Sequence, residues 1–165
     1  MRVVQLLALA FSLCPAFGRP AETEFVDGSQ TECRISTGKQ SNDALQVFAP
    51  GRFTFAPGGS GFVDRDGALG IKFAWERLVA GSLIVGGHRL DGTAGPARAY
   101  MNRGYGDIGF QPTYLVFPTV GCWEIIGRIG NRSLTFIVYV EKIGRGPDWQ
   151  YEGLPNDGFW YKTVL

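Results

Sequence analysis

Few residues in this chain are equipped for chemistry. His88 is the only histidine, and Cys14, Cys33 and Cys122 are the only cysteines. A histidine beside a cysteine is the minimal base and nucleophile of a thiol enzyme. Yet His88 stands in Gly86-Gly87-His88-Arg89 and Cys122 stands before Trp123, with no catalytic signature around either. Zinc asks for closely spaced His, Cys or carboxylate ligands, which one histidine and distant cysteines do not supply. Asp64-Arg65-Asp66-Gly67 has the opening of a calcium loop, but Trp75 occupies the position where the loop needs a bidentate acid. An Asp- and Gly-rich turn explains that stretch better. Gly86-Gly87 and Gly104-Tyr105-Gly106 lack the Gly-Lys-Ser/Thr ending of a phosphate loop and read as turns. Asn131-Arg132-Ser133 fits a glycosylation sequon, but it falls in a tight turn and is expected to be unoccupied. No catalytic residue, metal or cofactor is therefore expected. What remains is a binding surface. Tyr100, Tyr105 and Asp107 belong to a glycine-broken stretch expected to form a loop at one end of the fold. Trp149, Tyr151, Trp160 and Tyr161 crowd the last residues, where aromatics left in water are costly unless they meet the fold or a partner.

The N-terminus says where these residues work. Met1-Arg2 precedes an apolar run, Val3 to Leu13, and then Ala16-Phe17-Gly18. A short basic region, an apolar segment and a small-x-small site make a secretory signal peptide over residues 1–18. The run is too short to cross a bilayer, which takes about 20 apolar residues. Leu13 before Cys14 is bulky where lipoprotein processing wants a small residue, so lipidation is not expected. Removing residues 1–18 takes away Arg2 and Cys14, leaving acidic and basic residues in balance. A neutral chain has no bulk electrostatic grip on nucleic acid, and no later stretch is apolar enough to span a membrane. The cysteines become a pair, Cys33 and Cys122, and in an oxidising compartment an even pair points to a disulfide. Two buried thiols packing as small hydrophobes are the alternative.

The elements that must position these residues are strands. Residues 19–43 are polar and read as a lead-in. From Ala44 onward short apolar runs alternate with Gly, Pro and Asp. Arg52-Phe53-Thr54-Phe55 and the segment from Ile71 to Arg77 alternate with period two, and Ser82–Val85 and Tyr114–Phe117 are short enough to be buried strands. Repeated short strands with turn residues between them predict an antiparallel sandwich or barrel. The clearest signal is a hairpin about Gly130-Asn131, a pair suited to a two-residue turn. Its predicted register sets Ile129 against Arg132. One face then carries Trp123 with Val138, Ile125 with Phe136 and Gly127 with Leu134. The other carries Cys122 with Tyr139, Glu124 with Ile137 and Arg128 with Ser133. A slip of one residue would mix the faces. The tail from Arg145 to Leu165 is expected to fold over the sheet or to add an edge strand, with an aromatic ligand surface as the alternative.

The run Gly104-Tyr105-Gly106-Asp107-Ile108-Gly109-Phe110-Gln111-Pro112-Thr113, followed by Leu115-Val116-Phe117-Pro118, Gly121-Cys122-Trp123-Glu124 and Ser133-Leu134-Thr135-Phe136, resembles small exported bacterial proteins. Those proteins have immunoglobulin-like sandwiches and include some lipoproteins. The resemblance spans about residues 80–143. It implies export and an immunoglobulin-like sandwich over residues 44–144, and it carries no activity and no catalytic residue. Trp75 would serve as the strand-C core tryptophan, while Cys33 lies upstream of strand B, so a Cys33–Cys122 bridge departs from the usual inter-sheet one. Together these readings predict an all-β, exported, non-enzymatic binding or structural module. Its expected partner is a protein, met at an edge strand, or a cell-envelope glycan, met by the aromatics. The rival is a small secreted hydrolase or a thiol enzyme using Cys122.

Overall fold

A computed structural model describes residues 32–150 and the backbone of one further strand, Trp160–Thr163. The signal segment 1–18 and Tyr151 lie outside the described residues. The described residues contain strands and turns and no helix. The strands are β1 (Thr37–Ser41), β2 (Leu45–Pro50), β3 (Arg52–Phe55), β4 (Phe62–Val63), β5 (Leu69–Arg77), β6 (Leu83–Arg89), β7 (Arg98–Asn102), β8 (Gly109–Phe117), β9 (Gly121–Ile129), β10 (Arg132–Lys142) and β11 (Trp160–Thr163). They form two sheets. The first runs β1-β2-β5-β8-β7-β11, with β4 also paired to β5; the second runs β3-β10-β9-β6.

The expected sandwich was wholly antiparallel. One pair is not: β3 runs parallel to β10, with Arg52 opposite Tyr139 and Phe55 opposite Lys142. The reason is the path. Between Pro50 and Arg52 the chain leaves the first sheet for the edge of the second, turning at Gly51. Gly51 has φ +74°, and a Cβ there would come within 2.8 Å of Thr37 Cγ2. Parallel neighbours need a long connection, and here the strands β4 to β9 supply it.

Burial follows the period-two patterns. Trp75, Phe117, Trp123, Ile125, Phe136 and Val138 are among the deepest side chains. Phe73 stacks on Phe136 across the sheets at 5.3 Å between ring centres, and Phe117 meets Trp123 edge-on at 5.7 Å. Trp75 lies against Gly127, where a Cβ would fall 2.3 Å from the indole. The Trp75 Nε1–H donates to Thr113 Oγ1 at 3.3 Å, so its polar atom is satisfied inside the core.

The β9–β10 hairpin has the register read from the sequence, from Ile129 against Arg132 to Cys122 against Tyr139. Its turn takes a positive φ at Gly130 alone (+56°), the pattern of a turn with glycine first. Two readings change. Gly86-Gly87 is no turn; both residues lie inside β6, and a Cβ on Gly87 would sit 2.3 Å from the Glu124 carbonyl oxygen. The lead-in also reaches into the fold, since β1 occupies its last residues and pairs with β2 from Thr37↔Pro50 to Ser41↔Gln46. Thr37, Lys39 and Ser41 are exposed. A polar strand of that kind suits a sheet margin, and its hydrophilic composition hid it.

Cys33 and Cys122 are bonded to each other. Cys122 belongs to the face of β9 opposite Trp123, so the bridge lies outside the inter-sheet core. It fastens the residues before β1 to the outer side of the second sheet. The Ser36 N–H donates to the Ile137 carbonyl at 2.8 Å, and Ser36 Oγ accepts from the Ile137 N–H at 3.0 Å. The segment thereby covers the margin of β10 ahead of its pairing with β3.

Candidate functional site

At one end of the sandwich the turn 78–82 joins β5 to β6, and the loop 103–108 joins β7 to β8. Arg77 ends β5 at an inward-facing position, in phase with Phe73 and Trp75, and is 4% exposed. Among the described residues its guanidinium meets no carboxylate and turns instead on backbone carbonyls. Nε donates to Gly109 at 3.3 Å, Nη1 to Gly81 at 3.3 Å, and Nη2 to Tyr105 and Gly106 at 2.9 Å each. A buried cation must be compensated, and here the dipoles of two loops do so. The Gly81 N–H donates to the Asp107 carbonyl at 3.0 Å, tying the loops to each other. The loop bends at Gly104 and Gly106, whose φ values of +92° and +64° no branched residue would adopt readily. The Tyr105 ring rests edge-on against Phe110 at 5.8 Å between centres.

A cleft of about 610 Å³ opens between these loops. Met101, Leu83 and Ile84 give it apolar lining, and Ser82, Asn102, Arg103, Tyr105 and Asp107 give it polar lining. Gln111 lies beside it, buried, donating through Nε2 to the carbonyls of Asn102 at 3.0 Å and Pro112 at 3.1 Å.

Of the expected binding residues, Tyr105 and Asp107 thus come together. Tyr100 does not join them. It faces the outer side of the first sheet, where its hydroxyl donates to Asp64 Oδ2 at 2.9 Å. Burial, with that hydrogen bond and the Asp64 charge, pushes its pKa up to about 12. Arg98 completes the group, with Nη2 2.7 Å from Asp66 and 3.2 Å from Asp64. The two carboxylates that open the calcium-like sequence are therefore spent on an arginine and a tyrosine. Residues 64–68 form the β4–β5 turn, closed by the Gly67 N–H on the Asp64 carbonyl at 2.8 Å. Trp149 also lies away from the cleft, edge-on to Phe62 at 5.3 Å between centres. The backbones of Trp160 and Tyr161 pair with Asn102 and Met101, which adds an edge strand to β7.

His88 and Cys122 do not make a catalytic pair. His88 is exposed on β6, with Nε2 3.6 Å from Glu124 Oε1, and the Cys122 sulfur is bonded to Cys33. The rival thiol chemistry has no free thiol at that position. Among the described residues no three His, Cys, Asp or Glu side chains converge as metal ligands, and no helix is long and apolar enough to cross a membrane.

Arg77, Ser82 and Asn102 were not singled out in the sequence. Arg77 carried a readable signal: a charge at an inward phase of an alternating strand needs buried partners. Ser82 and Asn102 carried none, since only the pairing of distant strands brings them together. The chain matches no protein-family model, and no curated protein or solved structure is significantly similar to it.

Proposed function

We propose that this chain is an exported, non-enzymatic binding module built on an immunoglobulin-like sandwich, with its ligand surface at the cleft between turn 78–82 and loop 103–108. The cleft and the buried arginine that fixes its loop carry the reading. A rigid open site without a positioned nucleophile, base or metal ligand set among the described residues suits binding rather than turnover. The strand order supports the fold assignment. β2-β5-β8-β7 facing β6-β9-β10 follows the A-B-E-D and C-F-G arrangement of immunoglobulin-like domains. In that assignment the cleft joins the B–C and D–E loops at the end that also carries the F–G turn, Gly130-Asn131. Trp75 then stands on strand B, not on the strand C expected for it. The N-terminal leader and the disulfide support export. The partner is a cell-envelope component, protein or glycan, and the resemblance to exported bacterial sandwich proteins agrees with this.

The test has two arms. Expressed in full, the chain should be recovered outside the cytoplasm lacking residues 1–18, as read by intact mass. The recovered protein should be retained on isolated envelope material, and the Tyr105→Ala/Asp107→Ala double variant should be washed away. Retention equal to wild type in the double variant rules out the cleft. Turnover in a hydrolase screen that disappears in His88→Ala restores the enzyme reading.

A further inference from the structure

We infer that the ligand of this cleft is an uncharged saccharide, an assignment that rests on the binding reading above and narrows it. Beside Arg77 and Arg103, the chemistry on the walls is of three kinds. Tyr105 offers a partly exposed aromatic ring whose place is set by Phe110. Asp107 offers a carboxylate that accepts two hydroxyl protons. Ser82 and Asn102 offer groups that both donate and accept. Among the described residues these four side chains make no hydrogen bond with the rest of the protein, so their capacity is open to a ligand. Between them runs an apolar strip from Met101, Leu83 and Ile84. A sugar ring is matched to that surface. Its hydroxyls exchange hydrogen bonds in both directions around the rim, and its C–H faces cover apolar and aromatic carbon.

Other ligand classes fit worse. An anion would approach the Asp107 carboxylate, and neither arginine on the lining stands free for it: Arg77 is buried with its donors turned on carbonyls of Gly81, Tyr105, Gly106 and Gly109, and exposed Arg103 has an interaction partner of its own. A purely apolar ligand would strip water from Asp107 and Asn102 without replacing their hydrogen bonds. The volume of about 610 Å³ lies within the range of roughly 300–1,000 Å³ usual for small-ligand sites. Arg77 also lowers the ordering cost of binding, because the loop carrying Tyr105 and Asp107 is already fixed.

The experiment is an amide-resolved NMR titration of the exported, oxidised protein with chitotriose, maltotriose and lactose in turn, with inorganic phosphate and an acidic tripeptide as controls. At least one saccharide should shift the amides of Ser82 and residues 101–107 saturably, and neither control should. Tyr105→Ala and Asp107→Ala should each weaken that binding about tenfold or more, the loss expected for a hydrogen bond to a charged group or an equivalent ring contact. Both side chains are on the surface, so the fold should survive, as the spectra themselves will report. Saturable shifts from phosphate or the acidic peptide alone overturn the saccharide assignment. So do saccharide shifts that map elsewhere, saccharide binding that the variants leave unchanged, and a silent titration. Cleft-dependent envelope retention with a silent saccharide titration rejects the sugar and leaves the binding module standing. Envelope retention that ignores the cleft rejects the broader reading itself.

Discussion

Gly127 and Trp75 illustrate how single residues set the spacing of this sandwich. An indole from one sheet fills the place a side chain at 127 would take in the other, with Cζ3 2.3 Å from an added Cβ. Gly127→Ala should therefore force the indole or the strand to shift, costing about 1–3 kcal/mol as overpacking does. Urea unfolding followed by tryptophan fluorescence measures this, and a midpoint equal to wild type would contradict the packing. Tyr100 makes a different statement. Its hydroxyl donates to Asp64, and its pKa rises from 10 to about 12, chiefly through burial and then through Asp64. In that interval the folded state holds a proton that the unfolded state has lost. The tyrosine's contribution is thus fully present below pH 10 and disappears as pH rises through about 12. Denaturation midpoints should fall more steeply across this alkaline range in the wild type than in Tyr100→Phe. Parallel profiles for the two proteins would mean that Tyr100 titrates as an exposed tyrosine does.

The elements divide into those that local pattern specifies and those that only tertiary pairing creates. The β9–β10 hairpin belongs to the first group, because a turn dipeptide and two alternating strands determine register once one face must be buried. β3 is half in each group: Arg52–Phe55 alternates visibly, but its parallel partner lies at the far end of the chain. The cleft belongs wholly to the second. Arg77 reaches Gly109 only because β5 pairs with β8, so Tyr105 and Asp107 were legible as loop residues and Arg77 as an inward charge, while the carbonyls that it meets were not. Glycine misled for a related reason. Gly86-Gly87 has the composition of a turn, yet it sits in β6 because the neighbouring strand comes too close for a Cβ at 87. The segment before β1 is held by the disulfide, whose cysteines are separated by 89 residues. Closing a loop of that length restricts the unfolded chain, so the Cys33→Ser/Cys122→Ser variant should lose about 2–5 kcal/mol in urea unfolding. It should also show faster hydrogen exchange at Ile137, whose N–H is bonded to Ser36 Oγ. Unchanged stability and unchanged exchange would mean that the segment stays docked without its covalent link.

A sandwich has edges, and several of them here are bordered in distinct ways. β3 takes the free side of β10, the segment at Ser36 continues along it, and polar β1 borders the first sheet at one margin. The other margin of that sheet is β7, and β11 pairs with it from Trp160↔Asn102 to Thr163↔Ala99. This pairing gives the C-terminal stretch a structural duty apart from any ligand contact. Without it, β7 would present unpaired N–H and C=O groups beside the end of the fold that holds the cleft, an arrangement that invites another chain to pair. A chain ending at Gln150 keeps Trp149 and its contact with Phe62 and loses the covering strand. Because the core residues among the described ones precede that point, the truncated protein should still fold and keep its β-sheet circular dichroism. It should, however, associate with itself as concentration rises, as read by light scattering after size exclusion. Changing Tyr100 or Ala99 to proline in the truncated chain tests the cause. On an edge strand, proline at a position whose N–H points outward removes a donor without breaking the inner ladder. One of the two positions should therefore restore a single monomeric species, while the other should disturb the β7–β8 pairing and lower stability. A truncated chain that remains monomeric at every concentration would show that β7 needs no cover, and the duty of the tail would then lie in contacts of its side chains.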